Sequence, residues 1–289
     1  MSHQKYKRNH WVPKAYLRAF ATERGGEKIW TFGKSGGDPM KRSISKVAVK
    51  FYLYAPGQNG QRDYRTEQKL SNLEQLFGTP FWSEISSGYV DLGNKVIRKG
   101  LALLTAVMYL RNPTVLGQTA EIHSQFRSFY MAVGEPPDRV EIAGREYDVD
   151  KASWPAYRDA GEEDIKRMWL DSLNQGAWLA ELFLKMRWAI IASDQPVFIT
   201  SDNPVTFIHP SLKFRGLKNE ETSVMFPLSP TRILYLDNRQ SEPDAQYYAL
   251  GGKGESQNLL IWRNAIEHMF SHRHPDEVCS EMLADAEAA

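Results

Sequence analysis

Short strand-like segments stand at both ends of this 289-residue sequence, and residues from about 66 to 186 carry a helical texture between them. A chain ordered this way has few ways to fold. Terminal strands so far apart in sequence satisfy their edge N–H and C=O groups by meeting in a shared sheet. The expectation is therefore an α+β domain, with an antiparallel sheet built from N-terminal and C-terminal strands and a largely helical middle segment. Residues 1–275 are expected to form this one domain, and 276–289 a frayed acidic tail.

Residue patterns locate the elements. Pro13 opens a short helix carrying Ala15, Tyr16, Leu17, Ala19 and Phe20, since proline is tolerated in a first helical turn. Ile29–Phe32 and Lys46–Tyr54 read as strands, with GKSGGDP as a loop between them. Apolar residues at three- and four-residue spacing predict helices over Thr66–Phe77, from the 90s to Leu110, and over Thr114–Ala132. Val140–Ile142 and Tyr147–Val149 flank a turn and suggest a hairpin, and helices resume over Glu162–Asn174 and Trp178–Met186. Strands follow at Trp188–Ala192, Val197–Thr200, Val224–Phe226 and Ile233–Leu236. A last helix is expected over Ser256–Phe270, with Leu259, Trp262, Ile266 and Met269 on one face.

Composition removes several function classes. Lys and Arg total 36 against 35 Asp and Glu, so the whole molecule has no global attraction for a polyanion and a nucleic-acid contact has to be local. The basic start, with Lys5, Lys7, Arg8, Lys14 and Arg18 before the first acid at Glu23, is where a local patch would lie. The apolar run Leu101–Leu110 is half the length of a membrane span and implies no membrane partner. The N-terminus lacks a secretory signal and Cys279 is the single cysteine, which points to the cytoplasm and excludes intrachain disulfides. Phosphate-binding loop, dinucleotide-binding, serine-elbow and HExxH zinc signatures are missing from the sequence.

Two stretches set polar residues against rigid apolar frames: HWVPKAYLRAF (His10–Phe20) and FITSDNPV (Phe198–Val205). Asp202 ends a strand-like run, where a carboxylate can act as base, metal ligand or orienter of a histidine, while Ser201 and Asn203 beside it also suit a turn. His10, whose side chain when unperturbed titrates near neutrality, is its natural partner, or else it bonds a backbone carbonyl. Arg111 ends an apolar helix and could clamp a phosphate or carboxylate, or pair with Glu67 or Glu74, which lie two turns apart on one helix face.

These motifs, with FPLSP (Phe226–Pro230) and the Arg111-Asn112-Pro113 step, resemble a bacterial family, domain of unknown function 4238, over His10 to about Phe270. The resemblance implies a set of positions and no activity. The leading expectation is a hydrolase or nuclease acting on a phosphodiester. His10 would be its acid/base, Asp202 an orienter or ligand of a divalent metal, Arg111 an anion anchor, and Glu67 and Glu74 supporting carboxylates. Lys14, Tyr16, Ser201 and Asn203 would bind substrate. The rival is a non-catalytic binding or regulatory protein whose motif residues are structural. A third reading takes Arg263-Asn264-x-x-x-His268, on the last helix, as a metal-independent ribonuclease site of HEPN type at a homodimer interface.

Overall fold

The computed structural model describes residues 8–23, 25–58, 60–134, 136–142, 145–211, 216–239 and 241–288. Its architecture is α+β. One sheet has the order Thr200–Ser201, His268–Ser271, Lys28–Gly33, Met40–Ser43, antiparallel throughout, so strands from the two ends of the chain do meet. A second sheet has the order Thr206–Ile208, Ser223–Ser229, Arg232–Asp237, Arg187–Ala192, Gln246–Ala249, with only its last pairing parallel. Arg8–His10 pairs separately with Val49–Phe51.

The middle of the chain supplies the helices Arg65–Glu74, Pro80–Ser87, Lys95–Leu110, Pro113–Val133, Glu162–Ser172 and Gly176–Leu184, together with the hairpin Arg139–Ile142 and Arg145–Asp148. Lys95–Leu110 begins where Asn94 accepts the Val96 N–H at 2.9 Å, and buries Leu101, Leu104 and Met108 along one face. It stops because Asn112 takes an extended conformation before Pro113 and caps the next helix through the Thr114 N–H at 3.0 Å.

The main core joins Val12, Tyr16 and Phe20 to the Lys95–Leu110 helix and to Trp188, Phe226 and Leu234 of the five-stranded sheet. A second core gathers Phe32, Ile199, Met225, Ile261, Met269 and Val278. Tyr16, fully buried, holds the two sheets together: its hydroxyl donates to the Pro227 carbonyl at 2.7 Å and takes the Thr200 hydroxyl, also at 2.7 Å. A phenol supplies only one proton, so the Thr200 contact has to be accepted.

Several local expectations change. The helix expected over Ser256–Phe270 runs from Glu255 to Asn264, and His268–Ser271 is a strand. Leu259 and Ile266 are therefore outward-facing, and Asn258 and Ile261 pack inward. Pro275–Ala288 is helical rather than frayed, because Val278 and Met282 dock into the second core. In Val197–Thr200 only the end is laddered: the Val197 N–H turns to the Gln195 carbonyl, and the Ile199 N–H to the buried Asn258 side chain at 3.0 Å.

Candidate functional site

Asp202 is the junction of the molecule. Its carboxylate Oδ1 accepts the Ile266 N–H at 2.7 Å, and Oδ2 accepts the N–H groups of Glu267 and His268, both at 2.9 Å. Its own carbonyl accepts the Trp11 indole N–H and the Asn112 side-chain N–H, each at 2.8 Å. One buried residue thus ties positions 11, 112 and 266–268 together. The three N–H groups also explain the early helix end, since they point at a side chain instead of back along a helix. Burial pushes the Asp202 carboxyl above its usual range, against the pull of those N–H groups and of His268.

The neighbours of Asp202 serve the same junction. Ser201 Oγ accepts the Asn203 N–H at 3.1 Å. Asn203 and Asn264 exchange amide contacts, Asn203 Nδ2 donating to the Asn264 carbonyl at 3.1 Å and Asn264 Nδ2 to the Asn203 carbonyl at 2.8 Å. These are turn-forming and chain-crossing bonds, the local use that Ser, Asp and Asn are suited to.

His10 donates from Nε2 to the Ser45 carbonyl at 3.2 Å, a contact that fixes its tautomer because a carbonyl only accepts. Partial burial, with Lys14, Arg8 and Arg111 nearby, pulls its pKa down to about 4, so the ring is neutral at pH 7. Arg111, 3% exposed, pairs with Glu74 at 2.7 Å, donates to the His10 carbonyl at 2.7 Å and reaches the Tyr54 hydroxyl at 3.2 Å. Glu67 stands beside this group with its carboxyl pushed up by burial, against Arg111 and Asn9, and one of its oxygens is buried without a partner. Lys14 is exposed on the first helical turn, while Tyr16 is sealed in the core.

The structure thus brings the two motifs together, but through Trp11 and backbone atoms. The His10 ring faces Ser45, the Asp202 carboxylate faces 266–268, and Arg111 meets the backbone of His10 rather than its imidazole. Arg263 and His268 are not on one helix, since Arg263 belongs to Glu255–Asn264 and His268 begins a strand, and they line different cavities. Among the described residues no group of three or more His, Cys, Asp or Glu is placed to hold a metal ion.

Two cavities lie against the junction. The first, about 190 Å³, is walled by Trp11 and Asp202 and by Thr31, Arg42 and His268, with Lys46 and Glu267 at its edge. Register pairing puts Thr31 opposite Phe270, and His268 opposite Gly33 two residues along, so Thr31 and His268 share one sheet face. Thr31 is 3% exposed and its hydroxyl has no hydrogen-bond partner. Among the described residues neither Arg42 nor Lys46 pairs with a carboxylate, Arg42 touching only the Met40 sulfur at 3.3 Å. The cavity also contains acid: Asp202, saturated by N–H groups, and Glu267, 3.8 Å from His268 Nδ1. The second cavity, about 330 Å³, opens on the other side of the same turn, beside Asn203 and Asn264.

Thr31, Arg42 and Lys46 carry no signal in the sequence beyond the general basicity of the first fifty residues. Thr31 reads as an ordinary strand residue, and only the fold leaves its hydroxyl unpaired.

A family model described as "Protein of unknown function (DUF4238)" matches residues 8–278. No curated protein and no solved structure matches the chain.

Proposed function

The chain belongs to the DUF4238 family of proteins of unknown function, and from the chemistry of its own cavities we propose that it binds a phosphate-bearing ligand, with nucleic acid as the favoured class. The observation that carries this reading is the buried, unpartnered Thr31 hydroxyl in a cavity shared with Arg42, Lys46 and His268. A hydroxyl donor beside guanidinium and ammonium groups matches the acceptor oxygens and charge of a phosphate. The surrounding chain has the right sign: residues 8–50 hold ten Lys and Arg against three Asp and Glu, although the whole molecule is at +1. Of the local basic patch expected from the start of the sequence, Lys5 and Lys7 lie outside the described residues, and Arg8, Lys14 and Arg18 are, on this reading, joined by Arg42, Lys46 and Lys50.

His10, Arg111, Glu74 and Asp202 are framework in this account, the role their backbone bonds support. The hydrolase or nuclease reading shares the ligand class and is favoured by one feature, an imidazole, His268, lining the same cavity as the Thr31 hydroxyl. The cytoplasm, expected from the lone Cys279, would supply such ligands.

Fluorescence anisotropy with labelled single-stranded RNA, single-stranded DNA and duplex DNA tests the proposal between about 50 and 200 mM salt. Binding should weaken with salt. Arg42→Ala/Lys46→Ala should lower affinity at least tenfold and flatten the log–log salt slope by about 1.5, the loss of two phosphate contacts. Calorimetry with inorganic phosphate and nucleoside monophosphates separates a small ligand from a polymer, and gels of the same mixtures report cleavage. Binding equal in the variant and wild type, or no binding to any of these probes, overturns the reading.

A further inference from the structure

We propose that the second cavity is a separate site for a small flat nitrogen heterocycle of nucleobase size, neutral or anionic. At about 330 Å³ it sits at the lower end of the range for small-molecule sites, roughly 300–1,000 Å³. Its residues divide into the parts such a ring needs. Tyr109 and Phe207, with ring centroids 4.5 Å apart, supply aromatic surface. Asn203, Asn264 and Gln118 supply amide edges that both give and take hydrogen bonds. Asn264 Nδ2 gives both its protons to backbone carbonyls and Asn203 Nδ2 one of its two, which leaves one Asn203 N–H as a donor and the two side-chain oxygens as acceptors.

Thr206 is the second, independent indication. It is 5% exposed, lines the cavity, and its hydroxyl has no hydrogen-bond partner. An orphaned buried hydroxyl is costly, and a bound ligand that hydrogen-bonds it removes that cost. The charge of the ligand follows from what lines the cavity. No Asp or Glu is among its lining residues, whereas Arg263 is, so cations are disfavoured. His209, also in the wall, accepts at Nδ1 from the Ser211 N–H and hydroxyl and therefore carries its proton on Nε2, facing Glu221 at 3.4 Å. It holds the wall in place and is not needed for the ring.

This site shares no side chain with the phosphate site, and either proposal can fail alone. The two are nevertheless adjacent, since Asp202 and His268 line one cavity and Asn203 and Asn264 the other.

The experiment is calorimetric titration and thermal-shift measurement of the full chain against free purines and pyrimidines, their nucleosides and 5′-monophosphates, with inorganic phosphate as a control. At least one ring-containing probe should bind and inorganic phosphate should add nothing at this site. Thr206→Val, which keeps the shape and removes the orphan hydroxyl, should fold with unchanged or raised Tm yet bind that probe at least tenfold more weakly. Tyr109→Leu should also weaken it, while Thr31→Val should not. No response to any ring-containing probe, or a Thr206→Val protein that binds like wild type, overturns the proposal. If Thr206→Val fails to fold, Gln118→Ala takes its place under the same criterion.

Discussion

Replacing Asp202 with asparagine asks whether this residue holds the fold or awaits a substrate. The carboxylate accepts three backbone N–H groups, one at Oδ1 and two at Oδ2. An asparagine keeps the two bonds at the Oδ2 position by placing its carbonyl there, which turns its NH2 group against the Ile266 N–H, donor to donor. One charge-assisted bond of about 1.5–3 kcal/mol is lost, and the two that survive fall to neutral bonds of about 0.5–1.5 kcal/mol each. Removing a charge that burial disfavours returns part of this, leaving a net destabilisation of about 2–3 kcal/mol. Asp202→Ala strands all three N–H groups and should cost about 4 kcal/mol or more, a large share of a typical total of about 5–15 kcal/mol. Urea unfolding at pH 7, followed by tryptophan fluorescence, measures both, with an unchanged m-value as the check that one transition is being compared. An asparagine variant within about 0.5 kcal/mol of wild type, or more stable than it, refutes the reasoning, because relief on removal is what a carboxylate held ready for function shows.

Two further outcomes follow from the same framework. His10 has a folded pKa of about 4 against 6.5 unfolded, so the folded state binds fewer protons between those values and stability is lost as pH falls through that window. At about 1.4 kcal/mol per tenfold change in proton affinity this is about 3 kcal/mol, discounted to about 2 for a ring still partly open to water. Comparing wild type with His10→Gln in urea at pH 7 and pH 4 should show that loss in wild type alone, and parallel behaviour would refute it. Arg111→Met should cost about 3–5 kcal/mol by leaving Glu74 and the His10 carbonyl unpaired, and adding Glu74→Leu should recover part of it. A double mutant no better than the single would mean the pair is not coupled, as the urea midpoints would report.

What was legible in the sequence was whatever rests on local periodicity. The Lys95–Leu110 and Pro113–Val133 helices follow from apolar spacing and from one Asn-Pro step, and the strands at the two ends met in one sheet as expected. The helix expected to Phe270 stops six residues early because a carboxylate about sixty residues away captures its N–H groups, an event without a local signature. The two motifs meet in the fold through Trp11 and Asp202, but the partners of their side chains are mostly backbone atoms, and backbone atoms look alike at every position. For the same reason Thr31 reads as an ordinary strand residue and Thr206 carries no signal: an unpartnered hydroxyl is a property of the packed surroundings, not of a threonine in the sequence.

The carbonyl of Asp202, which takes N–H donors from Trp11 and Asn112 while the carboxylate waits for residues 266–268, also sets the order in which the chain can mature. During synthesis residues 11 and 112 emerge long before their anchor exists, and the anchor is not fixed until residues 266–268 have left the ribosome. Closing so many distant segments at one point raises contact order and slows folding. Fragments ending before residue 266 lack the N–H groups that the Asp202 carboxylate takes and would depend on chaperones until the segment that carries them is made.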